Sequence, residues 1–217
     1  MARSRRLDGR RLYLCCPDRP DLPLFLAACI RGGVDVVQLR DKSLEARPLL
    51  ARARLALEVC RQHGVPFILN DRPDLALELG ADGVHVGQDD APPTLARRIV
   101  GPDALVGLST HDPAQLEAAA REPVDYLSAG PVGPTPTKPG RAGTGLGYVS
   151  HAAAHTDRPF FVTGGVTAES VAKMVEAGGR RFVVVRFLTE AGDPEDRARV
   201  LRRALDGALA AVGAPEA

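Results

Sequence analysis

The sequence predicts one closed (β/α)8 TIM barrel, and three observations predict it. Short runs rich in β-branched and apolar residues recur eight times along the 217 residues. Segments of helical period separate them, and strand then helix repeated eight times is the count for a closed parallel barrel. An open doubly wound sheet usually carries a Gly-x-Gly-x-x-Gly turn after its first strand, and here that turn reads Cys16-Pro-Asp-Arg-Pro20.

The predicted strands are Arg11–Cys16, Val34–Arg40, Pro66–Asp71, Gly83–Gln88, Leu105–Thr110, Asp125–Gly130, Phe160–Gly165 and Phe182–Phe187. The clearest helical pattern is Leu44–His63, with Leu49, Leu50, Ala53, Leu57 and Cys60 on one face. Shorter Ala- and Leu-rich helices follow Pro73, Pro92, Pro113, Thr167 and Pro194, while Gly64, Gly80, Gly101 and Gly178 supply stops. Nothing marks a linker, so residues 1–10 read as a basic tail and 11–212 as one catalytic barrel.

Composition narrows the function. Lys plus Arg number 28 against 27 Asp plus Glu, a net charge of +1 that gives no general attraction to nucleic acid or anionic membrane. With no Trp and only three Tyr, a stacking platform for single strands is missing. The four cysteines, Cys15, Cys16, Cys29 and Cys60, form no CxxC pair and read as buried thiols of a reducing cytoplasm. No run of about 18 apolar residues is present to span a bilayer, and the basic N-terminus has no apolar segment behind it to make a secretion signal.

Barrel active sites are built where strands end at their C-termini, and polar chemistry gathers there. The second strand ends Gln38-Leu-Arg40-Asp-Lys42, the third Asn70-Asp71-Arg72, the fourth Gln88-Asp89-Asp90 and the fifth Ser109-Thr110-His111. The opposite ends read as plain Gly, Pro and Asp turns. Gln38, Arg40 and Lys42 alternate, so they share one side of the strand while Val37 and Leu39 face the helices. Such a fork of guanidinium and ammonium suits a diphosphate, or else an interior ion pair with Asp71. Asp71 and Asp90 end adjacent strands and would repel unless a cation lies between them. Magnesium, held by one or two carboxylates with water and substrate phosphate, is the usual solution; capping of the helices after Pro73 and Pro92 is the structural alternative. The loop Gly130-Pro-Val-Gly-Pro-Thr-Pro-Thr-Lys138 offers two hydroxyls and an ammonium to a phosphate, or is a surface loop. Gly164-Gly165 reads as a helix-opening turn with free N–H groups for an anion, or as a plain tight turn. His85 faces the barrel interior and reads as a satisfied core histidine before a catalytic base. No Ser/His/Asp order is readable.

Together these segments, with Gly80-Ala-Asp-Gly-Val-His-Val-Gly-Gln-Asp-Asp90, closely resemble the thiamine-phosphate synthase family, in order from about residue 11 to residue 195. The resemblance implies condensation of a hydroxymethylpyrimidine diphosphate with a hydroxyethylthiazole phosphate, two small phosphorylated substrates, to give thiamine phosphate and diphosphate. It implies pyrimidine-diphosphate contacts across Gln38, Leu39, Arg40, Asp41 and Lys42, with Asn70, Ser109 and Lys138. It assigns magnesium to Asp71 and Asp90, and the thiazole phosphate to Thr135, Pro136, Thr137, Gly165, Val185 and Arg186. Arg40, Lys42 and Lys138 would be the catalytic charges. Arg186 departs from the serine common in the family. A related thiazole tautomerase and a non-catalytic phosphate-binding barrel are the rival readings, and a homo-oligomer is compatible with all three.

Overall fold

A computed structural model of the chain describes residues 4–133 and 143–213. Among them eight parallel strands close into a barrel in sequence order: β1 (Leu12–Cys16), β2 (Val36–Leu39), β3 (Phe67–Asn70), β4 (Gly83–Val86), β5 (Leu105–Thr110), β6 (Tyr126–Ala129), β7 (Phe160–Val162) and β8 (Phe182–Val184). Closure is made where β8 pairs with β1 through Leu12–Phe182, Tyr13–Val183 and Leu14–Val184. Helices α1 (Leu22–Arg31), α2 (Ala46–Gln62), α3 (Pro73–Leu79), α4 (Pro93–Val100), α5 (Pro113–Ala119), α6 (Gly145–His155), α7 (Val171–Glu176), α8 (Arg186–Thr189) and α9 (Pro194–Ala211) surround it. The barrel expected from the sequence is the one observed.

The alternation of a strand explains the two cores. Outward residues such as Leu14, Leu39, Leu69, Val84, Val106 and Leu127 pack under the helices in one large cluster. Inward residues form a second, smaller cluster of Tyr13, Val36, Ile68, Leu105, Tyr126 and Phe161 at the N-terminal half of the barrel. Phe161 meets both tyrosine rings edge to face, 5.1 Å from Tyr13 and 5.7 Å from Tyr126. All four cysteines are buried and unbridged.

Residues 4–10 of the basic N-terminal segment lie against the barrel. Ser4–Leu7 form a 3-10 turn, and Leu7, only 1% exposed, packs with the inward cluster. One fully buried leucine stabilises by about 2 kcal/mol, enough to hold a short basic segment against the bottom of the barrel. Element ends also shift from expectation. Strand β7 stops at Val162 because Gly164 and Gly165 take φ of 92° and 76°, outside the β region. Strand β8 stops at Val184 because α8 begins at Arg186. Helix α7 begins at Val171, later than Thr167, whose N–H is met by Ser170 Oγ at 2.9 Å.

The aspartates at the opposite strand ends are more than turn residues. Asp35, Asp82 and Asp125 each stand one residue before an even-numbered strand. Each accepts a backbone N–H from the preceding odd strand: Asp35 from Arg11 (2.8 Å) and Leu12 (2.9 Å), Asp82 from Phe67 (2.9 Å), Asp125 from Val106 (2.8 Å). Asp35 is tied further to Arg202 of α9 at 3.0 Å, and Asp125 to Arg97 of α4. Burial pushes the Asp35 carboxyl up to about 6, and these donors keep it ionised at neutral pH. The clip thus fixes strand register at the closed end and anchors a helix to it.

Asp35→Ala leaves the N–H groups of Arg11 and Leu12 without their carboxylate and removes one partner of Arg202, which keeps Asp206 at 3.0 Å. Each unmade bond costs about 1–3 kcal/mol, so urea unfolding at pH 7.5 should show a loss of about 3 kcal/mol.

Candidate active site

Above the apolar layer the barrel interior turns polar. Gln38, Asn70, His85, Ser109 and Ser128, all under a tenth exposed, point inward from β2 to β6. They form the floor of the mouth, as the alternation in the sequence predicts for Gln38 and His85. Gln38 is bound on both sides, its Nε2 donating to Tyr13 Oη at 2.7 Å and its Oε1 accepting from Cys15 Sγ at 3.2 Å. The Asn70 amide makes no hydrogen bond to another described residue and is available to a ligand.

The charged residues lie on the rim. Lys42 Nζ sits 2.8 Å from Asp71 Oδ2 and 3.8 Å from Asp90 Oδ1, so one cation serves both carboxylates. Burial raises the Asp71 carboxyl above its ordinary value, and neighbouring Asp90 raises it further against the pull of Lys42. Asp71 also holds φ of 61°, a left-handed conformation that costs a non-glycine residue about 1–2 kcal/mol. Its N–H donates to the His85 carbonyl at 2.8 Å. Neither carboxylate caps a helix: α3 and α4 receive no side-chain cap, and Asp90 Oδ2 accepts from Gly87 N–H at 2.8 Å within its own loop.

Two carboxylates converging on one ammonium are the donor type a hard divalent cation takes, while among the described residues no group of three or more His, Cys, Asp or Glu is placed to hold a metal ion. The Arg40 guanidinium, partly exposed at the end of β2, forms no ion pair among the described residues. Arg40 and Lys42 therefore sit at the mouth with the two carboxylates, as read from the sequence.

Two residues within the Gln38–Lys42 stretch keep their side chains away from the mouth. The Leu39 side chain lies in the outer cluster, leaving only its backbone to the mouth. Asp41 is committed to its own loop: Oδ1 accepts from Ser43 N–H (2.9 Å), Ser43 Oγ (2.6 Å) and Leu44 N–H (3.2 Å), and Oδ2 from Asp18 N–H (3.2 Å). Burial acts to raise its carboxyl, but the Ser43 bonds prevail and hold it below the ordinary value. Asp41 shapes the β2–α2 turn that presents Lys42.

Across the mouth, Gly165, Val185 and Arg186 line one cavity of about 400 Å³ together with Gly164, Thr163 and Pro131. The cavity also meets Arg197 of α9, which sits 4.9 Å over the Phe187 ring. Nothing in the local sequence marks Arg197, because it reaches the cavity from a helix that follows the last strand. Gly164 makes the cavity wall: a Cβ there would lie 2.5 Å from Pro131 Cβ and 2.8 Å from Val132 N. The anion reading of the double glycine loses its helix, since α7 starts six residues beyond Gly165, and keeps only backbone N–H groups. Thr135, Pro136, Thr137 and Lys138 lie outside the described residues.

The comparisons with known proteins follow this geometry. A family model described as thiamine monophosphate synthase matches residues 12–188. The chain belongs to that family. It is 48% identical over 207 residues to a thiamine-phosphate synthase of Mycobacterium sp. (strain KMS), covering 89% of this chain and 92% of that one. It is 49% identical over 211 residues to the Saccharopolyspora erythraea enzyme of the same name, covering 92% and 95%. Among solved structures, the thiamine phosphate pyrophosphorylase from Pyrococcus furiosus superposes with a TM-score of 0.85 at 24% identity, covering 93% of this chain and 98% of that one. That likeness shows the barrel fold shared by the family. Among the described residues, no helix is long and apolar enough to cross a membrane.

Gly164→Ala forces a side chain into a left-handed position already in contact with Pro131. The expected cost is about 2 kcal/mol, read as a lower urea midpoint with an unchanged slope.

Proposed function

We propose that this chain is a thiamine-phosphate synthase, joining 4-amino-2-methyl-5-(diphosphooxymethyl)pyrimidine to 4-methyl-5-(2-phosphooxyethyl)thiazole and releasing diphosphate. The observation that carries this reading is the pairing of two sites at one barrel mouth in a chain of that family. Arg40, Lys42, Asp71 and Asp90 gather on one side, and the Gly165–Val185–Arg186 cavity opens on the other. One site is built for a diphosphate and a cation, the other for a smaller phosphorylated partner.

The chemistry follows from the leaving group. Loss of diphosphate is limited by the negative charge that grows on it, so preorganised positive charge lowers the barrier. Asp71 and Asp90 would hold magnesium, which supplies positive charge against the departing diphosphate. With the two carboxylates so neutralised, the Lys42 ammonium serves the diphosphate beside Arg40, and Lys138 is assigned the same role by the family resemblance. Departure leaves a carbocation at the pyrimidine methylene, and the thiazole nitrogen captures it to form the new C–N bond. The protein need supply no nucleophile, in keeping with the absence of a readable triad. Its remaining work is to hold the two substrates in line and keep water from the cation. Arg186 brings a guanidinium to the cavity of the phosphorylated thiazole, where the family commonly has serine.

Purified protein given both substrates and magnesium should form thiamine phosphate and diphosphate in equal amounts, and chelation of the magnesium should stop turnover. Isomerisation of the thiazole without coupling would instead favour the tautomerase. Lys138→Ala should slow turnover on the order of a hundredfold, the effect of removing one preorganised charge. Asp71→Ala should shift the magnesium titration of the rate to higher concentration.

A further inference from the structure

Beneath the mouth, a chain of hydrogen bonds crosses the barrel between two residues of the floor, Gln38 and Ser109. Gln38 Nε2 contacts Tyr13 Oη at 2.7 Å, and Tyr13 Oη contacts Tyr126 Oη at 3.0 Å. Tyr126 Oη then meets His85 Nδ1 at 3.2 Å, and His85 Nε2 meets Ser109 Oγ at 2.9 Å. Ser128 Oγ donates to Ser109 Oγ at 3.2 Å. Every member is buried, so each of the two phenol protons must be placed on a neighbour in the chain.

Counting protons gives the chain a direction. The Gln38 amide nitrogen can only donate, so Tyr13 accepts and passes its single proton to Tyr126. Tyr126 in turn donates to His85 Nδ1. Burial raises the pKa of both phenols well above the ordinary value, so each keeps the proton the count requires. An imidazole that accepts at Nδ1 is neutral and carries its proton on Nε2. It therefore donates to Ser109, whose oxygen accepts from both His85 and Ser128. The Ser109 hydroxyl proton is then left for an acceptor in the mouth.

The fold makes room for this relay at one position. Gly107 of β5 lies in register with both His85 and Tyr126. A Cβ there would collide with the Tyr126 ring and lie 2.5 Å from His85 Nδ1. Glycine at 107, with no left-handed φ to explain it, is what lets the two side chains meet.

We infer that His85 is a positioning residue: fixed as the Nε2–H tautomer by the Gln38–Tyr13–Tyr126 relay, it turns Ser109 into a hydrogen-bond donor aimed at an acceptor atom of the bound pyrimidine. This rests on the synthase reading for the identity of the ligand, while the tautomer and the relay stand on the geometry alone. His85 touches no reacting atom; it acts through Ser109.

The test has a spectroscopic arm and a kinetic arm. In protein labelled with 15N-histidine at pH 7.5, the His85 signals, assigned by their loss in His85→Gln, should report a neutral ring protonated on Nε2. Tyr126→Phe removes the donor to Nδ1 but keeps the ring, and should give mixed tautomers. A wild-type ring that is charged or protonated on Nδ1, or a Tyr126→Phe ring unchanged from wild type, overturns the relay. In steady-state kinetics Tyr126→Phe should raise KM for the pyrimidine diphosphate about tenfold, the value of one buried hydrogen bond, with KM for the thiazole phosphate unchanged. His85→Gln, which retains an N–H donor, should keep most of the pyrimidine affinity that His85→Leu loses. Equal shifts in both KM values, or none, overturn the positioning role. Wild-type protein that makes no thiamine phosphate would refute the synthase reading, and the NMR signature would still decide the relay.

Discussion

Closure of the sheet is the constraint on which everything else depends. In a closed parallel barrel each strand residue faces either the axis or the helices, and the register is shared by all eight strands. A slip of one residue would move Leu39 to the axis and Gln38 into the helix layer. The register is secured where strands enter, by Asp35, Asp82 and Asp125 accepting N–H groups of the strands before them. These clips are worth little apolar area, yet they decide which half of the sequence meets the substrate.

With register fixed, the axis divides into two layers of opposite character. The lower one is apolar, interlocked around Phe161 and closed by Leu7. The upper one is polar, and a chain of hydrogen bonds crosses it through Gln38, Tyr13, Tyr126, His85 and Ser109, with Asn70 beside it. Tyr13 and Tyr126 belong to both layers, ring in the apolar one and hydroxyl in the polar one. A buried polar network paired in this way is rigid, so this part of the floor is preorganised beneath the charged rim.

The rim works by electrostatic tension. Burial and the neighbouring Asp90 raise the cost of ionising Asp71, and Lys42 relieves it at 2.8 Å. Under the proposed function a bound cation would take the place of the lysine between the carboxylates and leave Lys42 to phosphate oxygens. Asp41, three residues after Gln38, takes no part in this exchange because its oxygens hold the turn together.

The sequence by itself determined the barrel, its strands to within a few residues, and the gathering of Gln38, Arg40, Lys42, Asn70, Asp71, Asp90 and Ser109 at one end. Those follow from period-2 and period-3.6 patterns and from strand-end position, which are local properties of a chain. Tertiary structure alone decided the rest. Leu7 became core, Asp35 a clip, Gly107 a gap for two side chains and Arg197 a wall of the cavity, because each acts on partners distant in sequence. It also decided that Asp41 folds inward on its loop while Asp71 and Asp90 leave their helices uncapped and face Lys42. A carboxylate in a strand-end loop has several donors within reach, and only the closed barrel selects among them by bringing the β2, β3 and β4 ends together.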